Sequence, residues 1–131
     1  MLTIADLETL ARTRLREATA LFIAKEYSGS AYLSGYAVEL TLKGKICMVL
    51  NWEGFPETRS EFNGLQSFKI HDLEILAFLA GLTHVLGTKY VQAWSDVTGW
   101  SPDDRYRRPG SLNAAYAKKM LAAASLLVSR L

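Results

Sequence analysis

Cysteine occurs once in the 131 residues, histidine twice and proline three times. A single thiol closes no disulfide within the chain, and one cysteine with two histidines cannot assemble a cysteine-rich zinc site. Long apolar runs are missing too. The most apolar stretch, Ile75 to Leu86, covers 12 residues and contains His84, whereas a membrane-spanning helix needs about 20. Neither sign of charge dominates: 15 Lys+Arg face 13 Asp+Glu, a formal net charge of +2. That excludes a uniformly basic nucleic-acid coat and leaves room only for local basic patches. Between Met1 and Glu26, charged residues such as Asp6, Glu8, Arg12, Arg14 and Arg16 interrupt the apolar ones, where a secretory signal would need a clean apolar stretch after a basic start. The expectation is a cytoplasmic protein with no membrane partner, no metal and no cofactor.

What is present is a core. Half the residues are hydrophobic and 21% are charged, the composition of a folded chain rather than a disordered tail, and the length suits one domain over residues 1–131. Ile4, Leu7, Ala11, Leu15, Ala18 and Phe22 step by three or four, predicting a helix from about Ile4 to Glu26 with Arg12 and Arg16 in water. Ser28-Gly29-Ser30 reads as a break. A second helix is expected from about Ser30 to Leu50; it is apolar on most sides, as a central helix is. Gly35 and Gly44 within it each cost about 1 kcal/mol relative to alanine, which suggests close approach by another helix.

Residues 51–69 hold Gly54, Pro56, Gly64 and isolated aromatics, and read as a long connection of a length often tied to function. A third helix starts near Ile70, with Gly81 and Gly87 obscuring its end, and a shorter one covers Lys89 to Val97. Thr98 to Gly110 contains two prolines and reads as a loop, after which Ser111 is a plausible N-cap for the last helix. The sum is an all-α, four- to five-helix up-and-down bundle without a strand.

Four features carry possible chemistry. Glu39 lies inside the apolar second helix, four residues before Lys43, and a structural ion pair is the simple reading. Tyr32, Tyr36, Glu39 and Lys43 also form a polar stripe, and a buried carboxylate is costly unless it is paired or used. His71-Asp72 opens the third helix: Asp72 suits a cap, and packing or capping suits His71 at least as well as catalysis. Packing explains His84 as well; the two histidines have no clear carboxylate partner and give a weak metal signal. Arg105-Tyr106-Arg107-Arg108 joins phosphate-binding forks to an aromatic that can stack on a base, although Asp103 and Asp104 can pair with these arginines instead. Trp52, Trp94 and Trp100 read as core or interface aromatics and Cys47 as packing. No phosphate loop, GxSxG elbow or HExxH is present.

Three segments resemble HEPN domains (higher eukaryotes and prokaryotes nucleotide-binding). Tyr27 to Lys43, with Gly35-Tyr36-Ala37-Val38-Glu39, is similar to the family's second helix. Lys69 to Leu76, with His71-Asp72-Leu73, resembles the start of its third helix, and Trp100-Ser101-Pro102-Asp103-Asp104-Arg105-Tyr106 is similar to a W-x-P-x-x-R-Y segment of stand-alone members. The resemblance implies a homodimeric helical bundle that binds nucleotides or RNA, often beside a nucleotidyltransferase partner in toxin–antitoxin pairs or in defence. Many members are ribonucleases with an arginine four to six residues before a histidine. Here those places hold Gly64, Leu65 and Gln66 before His71, and Ala77, Phe78 and Leu79 before His84.

The resulting expectation is a non-catalytic protein that binds a nucleotide or nucleic-acid phosphate. Tyr36, Glu39, Lys43, His71, Asp72, Arg105, Tyr106, Arg107 and Arg108 would surround the ligand, with the arginines on phosphate and Glu39 orienting Arg105 or His71. One alternative is a ribonuclease with rearranged residues, His71 as acid/base and Arg105 as phosphate clamp. Another is a homodimeric interaction module in which Glu39, His71 and Arg105 form a buried structural network.

Overall fold

The first helix begins where the sequence supplies a complete cap. The Thr3 hydroxyl accepts from the Asp6 N–H at 3.1 Å, and the Asp6 carboxylate accepts from the Thr3 N–H at 3.0 Å, satisfying two backbone donors that the first turn would otherwise leave unpaired. From that cap, in a computed structural model describing residues 1–131, α1 runs over Ile4–Ile23. It stops three residues before the expected end because Lys25 turns into the left-handed region (φ 64°). The chain then reverses at once into α2, Tyr27–Leu50.

The small residues Ser28-Gly29-Ser30 therefore open α2 instead of breaking the chain. Their size lets the two helices approach: Ser30 Oγ donates to the Ala18 carbonyl at 2.8 Å. Contact of Ala18 with Ser30 at one end, and of Leu7 with Gly44 at the other, makes α1 and α2 an antiparallel pair. α2 is the central element, with 12 buried residues, in keeping with its apolar residues on most sides.

The rest of the chain packs around this pair. Four further helices follow: α3 (Leu73–Leu79), α4 (Thr83–Thr88), α5 (Val91–Val97) and α6 (Ala114–Arg130). The single helix expected from Ile70 is two, because Gly81 at φ +72° ends the first of them and only glycine takes that conformation without strain. Six helices, three long and three short, replace the expected four or five. The architecture is an all-α helical bundle, in which α6 lies along α1 and α2 and its buried Met120, Ala124 and Leu127 join the core. Its N-cap is Asn113, not Ser111: the Asn113 side-chain oxygen accepts from the Tyr116 N–H at 2.8 Å. No helix is long and apolar enough to cross a membrane.

Two segments expected to be plain loops are built. Residues 51–69 include β2 (Gly54–Phe55), which pairs antiparallel with β1 (Leu2–Thr3), Leu2 opposite Phe55. This small sheet corrects the expectation of no strand. The segment's isolated aromatics explain its order: Phe55 and Phe62 are buried, and the Trp52 and Phe68 rings meet edge to face at 4.9 Å. Within the other segment, Pro102–Tyr106 forms a 3-10 turn capped by Ser101 and Asp104.

Candidate functional site

Along α2 the spacing four, three, four places Tyr32, Tyr36, Glu39 and Lys43 on one side. Glu39 is the buried member, its side chain 2% exposed. A carboxylate removed from water needs compensation, and the nearest comes from outside the helix. His71 Nδ1 donates to Glu39 Oε1 at 2.5 Å, while Lys43 Nζ stands 3.9 Å from the same oxygen. The expected Glu39–Lys43 pair is thus present but long, and the imidazole is the closer partner. His71 is itself 52% exposed, so one nitrogen is fixed by a buried acid while the ring remains open to solvent. This is the carboxylate partner that the spacing of the two histidines did not reveal. Of the two partners expected for Glu39, Arg105 and His71, the structure gives it His71. Asp72 does cap: its carboxylate accepts from the N–H groups of Glu74 and Ile75 at 2.9 and 3.1 Å. It thereby fixes the turn that presents His71.

A cleft of about 240 Å³ opens beside this pair. Tyr36, Lys43 and His71 line it together with Lys69, Phe55 and Glu57 from the 51–69 segment. The Lys43 ammonium sits 5.1 Å above the Phe55 ring. Burial pulls the Lys43 ammonium below its ordinary pKa of 10.5, with the Glu39 charge opposing that fall. Burial, reinforced by Glu39, pushes the Tyr36 phenol above its ordinary 10.0. Composition marks the 51–69 segment as a long connection but does not show its share of the cleft, for which the aromatics that anchor it over α2 are the available signal.

Beyond Tyr36 the polar side continues outward. Tyr32 and Tyr36 stack with ring centres 6.3 Å apart, and Tyr32 meets Trp100 at 6.1 Å. Trp100 Nε1 donates to the Tyr32 carbonyl at 3.0 Å. The indole lies so close to Gly35 that a Cβ there would fall 2.1 Å from its Cδ1. Gly35 thus permits a close approach, by a tryptophan rather than by the expected helix. Docking of Trp100 delivers the turn that carries Arg105. That guanidinium lies 4.8 Å over the Tyr106 ring, and the Tyr106 and Tyr32 hydroxyls hold it still more firmly in its charged form.

The nine expected site residues therefore fall into two groups. Tyr36, Lys43 and His71 line the cleft, while Glu39 reaches it only through its bond to His71 and Asp72 caps the helix that follows His71. Arg105 and Tyr106 stand on the far side of Tyr32 and are exposed. Arg107 Nε donates to Asp104 Oδ1 at 3.1 Å, and Arg108 is exposed with no ion-pair partner. Glu39 orients His71 and not Arg105, so the network is Glu39–His71–Lys43, buried at Glu39 and half-exposed at His71, without an arginine. His84 is exposed on α4 rather than packed, and Cys47 is buried as expected. No cluster of three metal-ligating side chains is present. Compared with protein-family models, with curated proteins and with solved structures, the chain matches none.

Proposed function

We propose that the cleft binds a phosphate group of a nucleotide or nucleic acid without cleaving it, as expected of a HEPN-like protein that lacks the ribonuclease arginine. The observation that carries this reading is the meeting of Lys43, Lys69 and His71 with Tyr36 on one cleft. Two ammonium groups and an imidazole supply donors to anionic oxygens, and the neighbouring tyrosines supply faces on which a base stacks. Glu39 fixes the imidazole, so less ordering remains to be done when the ligand arrives. With room for on the order of eight waters, the cleft admits a phosphate and part of a sugar and leaves the base to the aromatic flank. Arg105, beyond Tyr32, then meets an adjoining phosphate. The family resemblance extends the proposal to a homodimer with a nucleotidyltransferase partner, within a toxin–antitoxin or defence system.

The test is a thermal-shift panel of mono-, di- and trinucleotides and short RNAs, run with wild type and Arg105→Ala. A concentration-dependent rise in melting temperature with one ligand class, reduced in the variant, supports the reading. A flat panel for wild type contradicts it.

A second reading is favoured by one bond. A buried carboxylate holding one nitrogen of an exposed imidazole is the arrangement that readies the other nitrogen for proton transfer. In that reading the protein is a ribonuclease, with His71 as acid/base and Arg105 as clamp. RNA cleavage by wild type that disappears in a folded His71→Ala variant would establish it; intact RNA with wild type would remove it.

A further inference from the structure

A second groove, which shares only the buried Leu40 with the cleft, lies on the seam where α1, α2 and α6 meet. Its volume is about 240 Å³, within reach of a small organic ligand. The buried Ala11, Leu40 and Gly44 form its base, and the exposed thioether of Met48 and half-buried Val128 form apolar sides. Arg12 and Lys45 border it. Neither cation joins an ion pair, although Glu8, one helical turn before Arg12, also reaches the groove.

The glycine at the base is the second observation. Gly35 is required, because a methyl there would collide with Trp100. Gly44 is not: an added Cβ would meet only the Leu7 Cβ, at an ordinary 3.9 Å. A glycine inside a helix costs about 1 kcal/mol relative to alanine, and here packing does not demand it. What the missing methyl leaves is depth in the groove. An apolar floor, an adaptable methionine wall and a border carrying two unpaired cations against one carboxylate, Glu8, complement a molecule with an apolar body and an anionic head.

We propose that this seam binds a small amphiphilic anion. Its carboxylate, sulfonate or phosphate head lies between Arg12 and Lys45, and its apolar part lies over Gly44 against Met48. Charge complementarity selects this occupant over a neutral apolar molecule, and the depth at Gly44 selects it over a bare anion.

The experiment titrates isotope-labelled full-length protein with octanoate, acetate and 1-octanol at fixed ionic strength, following backbone amide shifts. The expected result is saturable movement centred on Ala11, Gly44 and Lys45 with octanoate, with acetate and 1-octanol each binding at least about tenfold more weakly. Arg12→Ala/Lys45→Ala should weaken octanoate about tenfold. Gly44→Ala should melt at a higher temperature and bind less octanoate, a pairing that loss of folding cannot mimic. Absence of saturable shifts at these residues overturns the proposal. Equal binding of 1-octanol, or of acetate, overturns it as well. Shifts at the seam that follow protein concentration without ligand would assign the groove to contact between two copies, and would likewise overturn it.

Discussion

The two halves of the candidate site are built on opposite principles. The inner half sets Glu39 and Lys43 of the central helix beside the 51–69 segment, with the Glu39 carboxylate 2% exposed and bonded to the half-exposed His71 from the turn before α3. The outer half, Arg105 to Arg108, rides on a capped turn that reaches the bundle through one buried indole, and all four side chains are exposed. Desolvation makes a loss at Glu39 or Lys43 expensive, whereas solvent makes the outer charges cheap to remove. A substitution inside therefore changes folding and binding together. One outside separates them, and only the outer half gives a clean measure of ligand recognition.

The largest expected effect is inside. Glu39→Ala leaves Lys43 without its acid, frees His71 and opens a cavity in α2, and should cost about 2–3 kcal/mol in urea denaturation. A loss no larger than that of a surface substitution would break the contrast. Gly35→Ala follows, because its methyl must displace the Trp100 indole, 2.1 Å away; overpacking of this kind costs about 1–3 kcal/mol. It should also loosen the turn bearing Arg105, visible as a change in tryptophan fluorescence. Asp72→Ala removes two capping bonds and should cost about 1 kcal/mol.

How far these features were legible in the sequence depended on whether the determining contact was local. The long helices α1, α2 and α6 were legible because their apolar spacing is a property of the helix itself. So was the cap at Asp72, whose acceptors and donors lie within three residues. Glu39 was recognisable as an anomaly, a carboxylate in an apolar helix, but its partner lies 32 residues away and no spacing rule selects it. The 51–69 segment reads as a connection because Gly54, Pro56, Gly64 and mixed charges break its apolar spacing, while the four aromatics that order it act through tertiary packing. Gly35 and Gly44 carry the same letter, yet only the folded structure separates a glycine that a tryptophan requires from one that lines a groove.

A smaller effect sharpens the inner half through pH. Burial holds the Lys43 ammonium below its ordinary 10.5. Between the folded value and 10.5 the unfolded chain binds the extra proton, and stability rises with pH across that window. Lys43→Met removes this component. Denaturation midpoints measured from about pH 8 to about pH 10 should shift in favour of wild type relative to the variant as pH rises. Parallel curves would mean that Lys43 is not desolvated. The smallest effect is outside: Arg108→Ala should change stability by less than about 0.5 kcal/mol, in contrast with every inner substitution.

The most direct test of the central claim is the affinity of a short single-stranded RNA, measured at several salt concentrations for wild type and Arg105→Ala. The account predicts weaker binding for the variant, with a slope of log affinity against log salt shallower by about one phosphate contact and a nearly unchanged melting temperature. Equal affinities and equal slopes for the two proteins would contradict it.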